Sequence, residues 1–482
     1  MEWITTYGFG IMMFINILFG IALIFLERRD ASVTWAWLMV LMFIPVIGFM
    51  VYLLFGRRLN RKHIFKWDQF DQLGVQEQVQ SQLSSLRNET FSFVNKASEK
   101  NKDLIYMFLQ NDEAVLTQNN DVQIFLDGKE KFSSLMEDLK KAKDHIHIVY
   151  YIIRDDFIGQ KIGEILAQKA REGVEVRVLY DALGSKSLKK SSIRQLQKAG
   201  VEMEAFFPSK FAMINPRINF RNHRKLVIVD GIIGYTGGFN IGDEYLGMSK
   251  KFGYWRDSHL RIEGDAVQSI QTRFLLDWNQ ASRRHIVNRS RYYPPISAEG
   301  NVGIQVVTSG PDSDWEQIKN GYLKVIMSAK KYVYIQTPYF IPDASVLDAL
   351  RVASLSGVDV RIMIPKMPDH PFVYWATYSY VGELLNAGVK IFIYQKGFMH
   401  AKTIVADDVV SSVGTANIDV RSFRLNFEVN AFLYDEEITL KLVNGYREDM
   451  NHSSELTMEI YNNRSHWIRF KESIARLLTP IL

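Results

Sequence analysis

The sequence predicts an α/β protein in which two repeated lobes share one active site and a two-helix transmembrane hairpin precedes them. Three observations predict it: two long uncharged runs near the amino terminus, a strand–helix pattern that occurs twice, and one polar signature in each copy. The predicted segments are a hairpin over 1–58 with spans at about 4–26 and 34–55, linker helices over 59–120, and lobes over 121–295 and 296–482.

The composition excludes several classes of protein. The chain has 482 residues, of which 47% are hydrophobic, and a formal net charge of +5. This apolar content excludes a disordered chain. Because there is no cysteine, disulfide frameworks, thiolate metal sites and cysteine nucleophiles are excluded as well. The net charge is too small to indicate a nucleic-acid partner, and none is expected.

Both amino-terminal runs are long enough to cross a membrane. Residues 3–26 and residues 31–56 carry no charge, and about 20 apolar residues span the bilayer core as a helix. A cleaved signal peptide would need a basic start and a small-residue cleavage site, and the first run has neither. Buried core helices are the alternative interpretation.

Basic residues after the second run predict the orientation of the hairpin. Five lysines and arginines lie between positions 57 and 66, against two in the loop 27–30. The positive-inside rule therefore predicts a multi-pass protein of the cell membrane whose lobes lie on the cytoplasmic side.

The rest of the chain repeats one α/β unit. In the first copy, residues 145–151 and 173–180 are predicted strands on either side of a helix over 159–171. The second copy has predicted strands over 332–335 and 357–364 and a helix near 345–355. Two copies of one lobe account for this better than two unrelated domains.

Each copy carries one signature of four polar residues. The first consists of His223, Lys225, Asp230 and Asn240, and the second of His400, Lys402, Asp407 and Asn417. Every member of the second follows its counterpart by 177 positions. One such run is a weak signal, but two runs in two repeated lobes are a strong one.

The signature residues suit transfer of a phosphodiester. Lysine ammonium and asparagine amide groups stabilise the charge that develops on phosphoryl oxygens. A neutral imidazole can attack phosphorus, and a second imidazole can protonate the leaving oxygen, which predicts a phosphohistidine intermediate. No metal-ligand cluster and no nucleotide-binding loop is evident, so no cofactor is expected. The expected catalytic residues are His223, Lys225, Asp230, His400, Lys402 and Asp407.

The two aspartates have a different expected role from the other members. Asp230 and Asp407 are expected to hold a loop or the lysine instead of touching substrate. For the histidines and lysines, satisfied core residues and snorkelling side chains are the alternative.

The paired signature resembles that of the phospholipase D superfamily. With the amino-terminal runs, Trp35-Ala36-Trp37-Leu38, Tyr254-Trp255-Arg256-Asp257 and the run from Gly414 to Ser422, the whole chain is similar to bacterial cardiolipin synthases. The resemblance implies that two phosphatidylglycerol molecules become cardiolipin and glycerol, with phosphatidylglycerol and anionic membrane lipid as partners.

The resemblance also implies a role for each residue. His223 would be the nucleophile and His400 the acid and base, although the sequence alone leaves this choice open. The phosphoryl oxygens would be held by Lys225, Lys402, Asn240 and Asn417. Asp257 and Glu428 would orient the imidazoles. Where the superfamily often has serine after the motif glycine, this chain has Gly238 and Thr415, so the two halves are not expected to be equivalent.

Two other functions remain open at this point. With water as acceptor, the same histidines would make a membrane-bound phospholipase D-type hydrolase or a nuclease. A membrane scaffold with a degenerate enzyme lobe is the second. The oligomeric state is undetermined.

The carboxyl-terminal tail forms a predicted amphipathic helix. Trp467, Ile468, Phe470, Ile474 and Leu477 alternate there with basic residues. The helix either packs on the body or lies at the bilayer surface.

Overall fold

The structure is a computed structural model of the chain. It describes residues 7, 8, 10, 11, 14, 15, 17–21, 31–44, 47–52, 74–208, 219–282, 286, 290–296, 299–367 and 369–479.

The amino-terminal part contains α1 (Ala31–Phe43) and α2 (Ile47–Val51). Much of the two predicted spans, and the basic stretch 57–66, lie outside the described residues. Within the described part of the chain, no helix combines the length and the apolar character needed to cross a bilayer.

Three helices precede the first strand: α3 (Val75–Arg87), α4 (Lys96–Lys100) and α5 (Lys102–Asn111). They lie in the predicted linker 59–120, whose residues 59–73 fall outside the described set. Apolar side chains of α3 and α5 belong to the core of the second lobe, where the Phe108 ring lies 4.6 Å from that of Phe432. These helices therefore form part of the carboxyl-terminal packing unit.

The first lobe is built on a mixed sheet. Its elements are β1 (Asn120–Asp127), α6 (Gly128–Lys141), β2 (His145–Tyr150), α7 (Phe157–Arg171), β3 (Glu175–Asp181), α8 (Lys190–Lys198), β4 (Glu202–Phe206), β5 (Arg221–Asn222), β6 (Leu226–Val229), β7 (Ile233–Gly237), β8 (Tyr254–Gly264) and α9 (Ala266–Ala281). The sheet runs in the order β1-β8-β7-β6-β2-β3-β4. Strands β2, β3 and β4 are parallel, whereas β6 is antiparallel to β2 and to β7.

The second lobe repeats this plan. Its elements are β9 (Gly303–Ser309), α10 (Gln317–Ser328), β10 (Tyr332–Gln336), β11 (Phe340–Ile341), α11 (Ala344–Leu355), β12 (Asp359–Pro365), α12 (Pro371–Asn386), β13 (Lys390–Tyr394), β14 (Gly397–Met399), β15 (Thr403–Ala406), β16 (Val410–Gly414), β17 (Ile418–Asp419), α13 (Val420–Arg424), β18 (Asn426–Tyr434), α14 (Glu436–Asn451), β19 (Ser453–Glu455), α15 (Met458–Asn462) and α16 (His466–Leu478). The sheet order is β19-β13-β12-β10-β15-β16-β18-β5, and β9 pairs with β18.

Local sequence explains why corresponding elements form in both lobes. Helices α7 and α11 each begin after an aspartate whose carboxylate accepts a backbone N–H three residues on, Asp156 from Gly159 and Asp343 from Val346. After α8 and α12 the chain turns through Gly200 and Gly388, whose φ angles are 102° and 88°. A side chain is disfavoured at such angles, so glycine permits the return to the next strand.

The two lobes exchange strands across their interface. β5 of the first lobe pairs with β18 of the second, and β14 of the second pairs with β8 of the first. Each exchanged strand lies directly before a signature histidine. The predicted α/β fold of two repeated lobes is therefore confirmed, and the boundary at 295/296 stays a prediction.

Candidate active site

The two signatures occupy equivalent places in the two sheets. Lys225 directly precedes β6 and Lys402 directly precedes β15, and both strands lie beside a central parallel strand of their sheet. Asn240 and Asn417 follow β7 and β16, the next strands along the chain. Because β5 pairs with β18 and β14 pairs with β8, each histidine segment lies against the opposite lobe.

Each signature histidine is hydrogen-bonded to a buried carboxylate of the opposite lobe. His223 Nδ1 lies 2.9 Å from Glu428 Oε2, and His400 Nδ1 lies 2.6 Å from Asp257 Oδ2. Backbone contacts fix both pairs, since His223 donates its N–H to Phe427 O and His400 donates its own to Arg256 O. The structure thus brings together all four of these sequence-predicted residues.

The two carboxylates determine which imidazole nitrogen carries the proton. An ionised carboxylate only accepts hydrogen bonds, so Nδ1 of each ring donates and Nε2 keeps its lone pair. Burial disfavours the charged form of Glu428, but His223 and Lys225 outweigh it and hold the pKa of that carboxyl below its usual range. Lys402 and His400 do the same for the pKa of Asp257, again against burial.

Burial favours the neutral form of both imidazoles. It lowers the pKa of His223, and the charges of Lys225 and Lys402 add to that effect while Glu428 opposes it. It lowers the pKa of His400 to about 4, with Lys402 as the next contribution. Because each lysine acts on the histidine of the other lobe, the two half-sites lie close enough to form one site.

Both lysines are buried and held by the histidine segments. Lys225 Nζ donates to His223 O (2.7 Å) and Lys402 Nζ donates to His400 O (2.6 Å). Burial lowers the pKa of Lys225 to about 7 and the pKa of Lys402 to about 8, and the two ammonium groups repel each other in the first case. A bound anion would stabilise the charged form of both lysines, because it compensates two desolvated positive charges.

The two asparagines differ in how their amides are used. Asn240 Oδ1 accepts the N–H of Ile152 and its Nδ2 donates to Tyr245 Oη, both at 3.1 Å. Asn417 Nδ2 donates to Asp419 Oδ2, and Asn417 Oδ1 is buried without a hydrogen-bond partner among the described residues. Each NH₂ group has a second hydrogen that can be donated to a phosphoryl oxygen.

Asp230 and Asp407 lie at the far end of their strands. Asp230 accepts backbone N–H groups of residues 143–145, and Asp407 those of residues 330–332. Five residues of extended chain, roughly 16 Å, separate Asp230 from Lys225. Both carboxylates therefore bind the loop before β2 or β10 and are remote from the imidazoles, and their part in catalysis stays a prediction.

The residue after the motif glycine makes the two half-sites unequal. Thr415 Oγ1 donates to Glu428 Oε2 at 2.6 Å. At Gly238, a Cβ would lie 1.9 Å from Asp257 Oδ1, so a side chain there would have to displace that carboxylate. Asp257 instead accepts the backbone N–H of Ser258 and, weakly, the indole of Trp255. The two half-sites therefore differ in their contacts at this position, and their chemical inequivalence stays a prediction.

Two buried arginine–aspartate pairs support the carboxylates, and the sequence patterns did not indicate their role. Arg224 donates to the main-chain oxygen of Glu428 and binds Asp277 at 2.7 Å. Arg256 binds Asp449 at 2.7 Å and donates to the main-chain oxygen of Asp257. The sequence shows that Arg224 stands between the histidine and lysine of the first signature and Ala401 in the second. It does not show that Arg224 binds the main-chain oxygen of Glu428.

An aromatic ring packs against each imidazole. The ring of Tyr151 lies 4.9 Å from that of His223 in an edge-on arrangement, and the Trp255 ring lies 5.1 Å from that of His400. Such rings exclude water and strengthen the electrostatic interactions in the site. Among the described residues, no group of three or more His, Asp or Glu side chains is placed to hold a metal ion.

Comparison with known proteins places this site in a family. The family model described as "Cardiolipin synthase, PLD-like domain" matches residues 135–278 and 322–450, one match in each lobe. A cardiolipin synthase of Oceanobacillus iheyensis is 60% identical over 99% of this chain and 100% of its own length. The chain belongs to the cardiolipin synthase family of the phospholipase D superfamily.

Other matches agree with this assignment. The major cardiolipin synthase of Bacillus subtilis is 59% identical over 98% of both chains, and the model described as "Phospholipase_D-nuclease N-terminal" matches residues 11–57. The predicted phosphatidyltransferase of the phospholipase D superfamily is confirmed by the cardiolipin synthase matches. A crystal structure of phosphatidylserine synthase from Haemophilus influenzae covers 80% of this chain and 100% of its own, with TM-score 0.62 and 16% identity. That likeness concerns the fold alone.

Proposed function

We propose that this protein is a membrane-bound cardiolipin synthase that transfers a phosphatidyl group from one phosphatidylglycerol to another. The observation that carries the proposal is the pair of imidazoles, each bound at Nδ1 to a buried carboxylate of the opposite lobe and flanked by a buried lysine. A phosphodiester is the anion that such a site can both bind and exchange.

The first step forms a covalent intermediate. His223 Nε2 attacks the phosphorus of one phosphatidylglycerol, a P–N bond forms, and the bond from phosphorus to the glycerol headgroup breaks. His400 Nε2 donates a proton to the departing oxygen, which leaves as glycerol. Glu428 stabilises the positive charge that develops on the attacking imidazole.

The bound phosphodiester allows His400 to carry the proton that this step needs. Burial and Lys402 lower the pKa of His400 to about 4, so the free enzyme holds it neutral. A phosphodiester between the lysines offsets their charge and raises the pKa of His400 again. Lys402 Nζ lies 3.0 Å from Nδ1 and 3.2 Å from Nε2 of that ring, which makes the imidazolium a ready proton donor and supports its role as the acid.

The second step reverses the first with a new acceptor. A headgroup hydroxyl of another phosphatidylglycerol gives its proton to His400 Nε2 and attacks phosphorus, and the P–N bond breaks. Cardiolipin leaves and His223 is restored. One phosphodiester bond is broken and one is formed, so no nucleoside triphosphate is consumed.

The remaining site residues have supporting roles in this scheme. Lys225, Lys402, Asn240 and Asn417 hold the phosphoryl oxygens, Asp257 and Glu428 orient the imidazoles, and Asp230 and Asp407 hold their loops. The amino-terminal segment anchors the enzyme in the cell membrane as a multi-pass hairpin, with the lobes on the cytoplasmic side where phosphatidylglycerol headgroups are accessible.

A product assay tests the proposal. Purified protein in phosphatidylglycerol vesicles, without added metal or nucleotide, should release cardiolipin and glycerol in equal amounts. His223→Ala should abolish turnover, whereas His452→Ala, a solvent-accessible histidine outside the site, serves as the control. Phosphatidic acid as the main product would identify a hydrolase and contradict the proposal.

Trapping the intermediate tests the covalent scheme separately. A turnover mixture quenched under conditions that preserve phosphohistidine should carry the lipid phosphate on His223. An adduct on His400 would exchange the two roles, and an adduct on neither would overturn the scheme.

A further inference from the structure

The last helix packs on the body through one narrow face. Within α16, Glu472 and Ala475 are buried, and Thr479 is buried just beyond its end. This face meets α12, where Tyr380 and Thr479 share a hydroxyl hydrogen bond and Arg476 binds Glu383. The helix is thereby fixed to the second lobe.

A second face of α16 is apolar and has no covering element in the described part of the chain. Large side chains at a helical spacing form it, and we call them the apolar stripe: Trp467, Phe470, Ile474, Leu477 and Leu478. Leu477 is 69% exposed and Trp467 is 63% exposed. A contiguous exposed apolar face of this kind marks an interaction surface.

One lysine and one further indole ring border the apolar stripe. Lys471 Nζ lies 5.3 Å from the ring centre of Trp467 and 4.9 Å from that of Trp375. The only carboxylate of α16, that of Glu472, is buried and bound to Arg464 at 3.0 Å. The border therefore offers positive charge and amphipathic rings without an exposed carboxylate from the helix, the combination that favours an anionic headgroup layer.

A short series of contacts connects this surface to the active site. Thr377 of α12 accepts the backbone N–H of Phe340 in β11, and β11 pairs with β17. β17 begins at Ile418, directly after Asn417. The apolar stripe is thus held in a fixed position relative to the phosphoryl end of the site.

We propose that the apolar stripe of α16 lies in the headgroup layer of an anionic bilayer and seats the second lobe on the membrane from which it takes its lipid. This inference rests on the proposed function. The hairpin would tether the enzyme, and α16 would set the orientation of the catalytic lobe at the surface. An amphipathic helix in this position buries its apolar face in the boundary between headgroups and acyl chains.

Site-specific labelling of the full chain tests the position of the helix. Because the sequence has no cysteine, Ile474→Cys or Leu477→Cys can each carry a single spin label. In vesicles of phosphatidylglycerol and phosphatidylcholine, both labels should be shielded from a water-soluble nickel relaxant and accessible to oxygen. Arg469→Cys, on the opposite side of the same helix, is the matched control and should stay accessible to nickel.

Two labelling results would overturn the inference. One is equal nickel accessibility of the labels at positions 474, 477 and 469. The other is shielding that persists in detergent at high protein concentration together with dipolar broadening between labels, which would identify a second copy of the chain as the occupant.

Turnover gives an independent readout. Phe470→Glu should lower turnover on vesicles by about tenfold or more at limiting surface lipid, because a charge in the apolar stripe opposes insertion. Ile460→Glu, the same kind of change at an exposed residue of α15, should leave turnover unchanged. Equal turnover of Phe470→Glu and wild type would contradict the inference. Since labelling needs no catalysis, shielded labels in an enzyme that makes no cardiolipin would refute the proposed function alone.

Discussion

Replacing Glu428 by glutamine tests the central feature of the site, a carboxylate from one lobe that orients the histidine of the other. Glu428 accepts from three donors: His223 Nδ1 and Thr415 Oγ1 on one oxygen, and Asn426 Nδ2 on the other. An amide of the same shape has one accepting oxygen and one donating nitrogen. An NH₂ group in place of Oε2 therefore faces two donors, His223 Nδ1 and Thr415 Oγ1, and an NH₂ group in place of Oε1 faces one, Asn426 Nδ2.

The expected loss can be worked out from these contacts. A hydrogen bond to a charged group contributes about 1.5–3 kcal/mol, and a buried donor left unpaired costs about 1–3 kcal/mol. If the NH₂ faces His223, the imidazole must carry its proton on Nε2 and cannot attack phosphorus. A sum of about 2.5–6 kcal/mol corresponds to a fall in turnover of about 10² to 10⁴.

The same substitution should shift the pH dependence. Glu428 raises the pKa of Lys225 and of His223 against the effect of burial. Without the carboxylate both pKa values fall, so Lys225 loses its proton at lower pH and the alkaline limb of kcat/KM moves to more acid pH.

Cardiolipin formation in phosphatidylglycerol vesicles measures the effect, with thermal unfolding to verify that the fold is intact. Glu436→Gln, the same change at an exposed carboxylate of the next helix, is the control. A Glu428→Gln enzyme that unfolds normally and turns over within about threefold of wild type would refute the orienting role.

One wild-type measurement and two substitutions examine other parts of the site. Burial lowers the pKa of Lys225 to about 7 and that of Lys402 to about 8. Wild-type kcat/KM should therefore fall as pH rises above about 7. A flat profile to about pH 9 would contradict a role for charged lysines. Gly238→Ser should lower turnover at least about tenfold, because its Cβ would lie 1.9 Å from Asp257 Oδ1; a wild-type rate would show that Asp257 can move at no cost. Asp230→Ala removes three backbone hydrogen bonds and should lower the melting temperature by about 4–10 °C. The kcat of the folded variant should stay within about threefold of the wild-type value. A larger loss of kcat would assign this aspartate to the chemistry.

Local patterns account for the part of the fold that could be predicted. The strand around His147 and the helix after Asp156 lie where the hydrophobic pattern predicts them. The turns after α8 and α12 could also be predicted, because a positive φ angle is a local requirement that glycine meets. Because the unit occurs twice, the pairing of two complete signatures was also readable without any structure.

Tertiary structure decided how those local elements combine. Glu428 follows His223 by 205 positions, and His400 follows Asp257 by 143. Which carboxylate serves which imidazole depends on the exchange of β5 and β14 between the sheets, a pairing of distant segments that no local periodicity encodes.

The sequence by itself therefore determined the chemistry of the site: two histidines, two lysines and two asparagines in repeated α/β lobes. Only the folded molecule decided the environment that makes this chemistry work. The buried pairs of Arg224 with Asp277 and Arg256 with Asp449, and the lack of space at Gly238, arise where separate segments of the chain pack together. The physical reason is that burial and charge pairing are properties of the space around a residue, whereas residue type and spacing are properties of the chain.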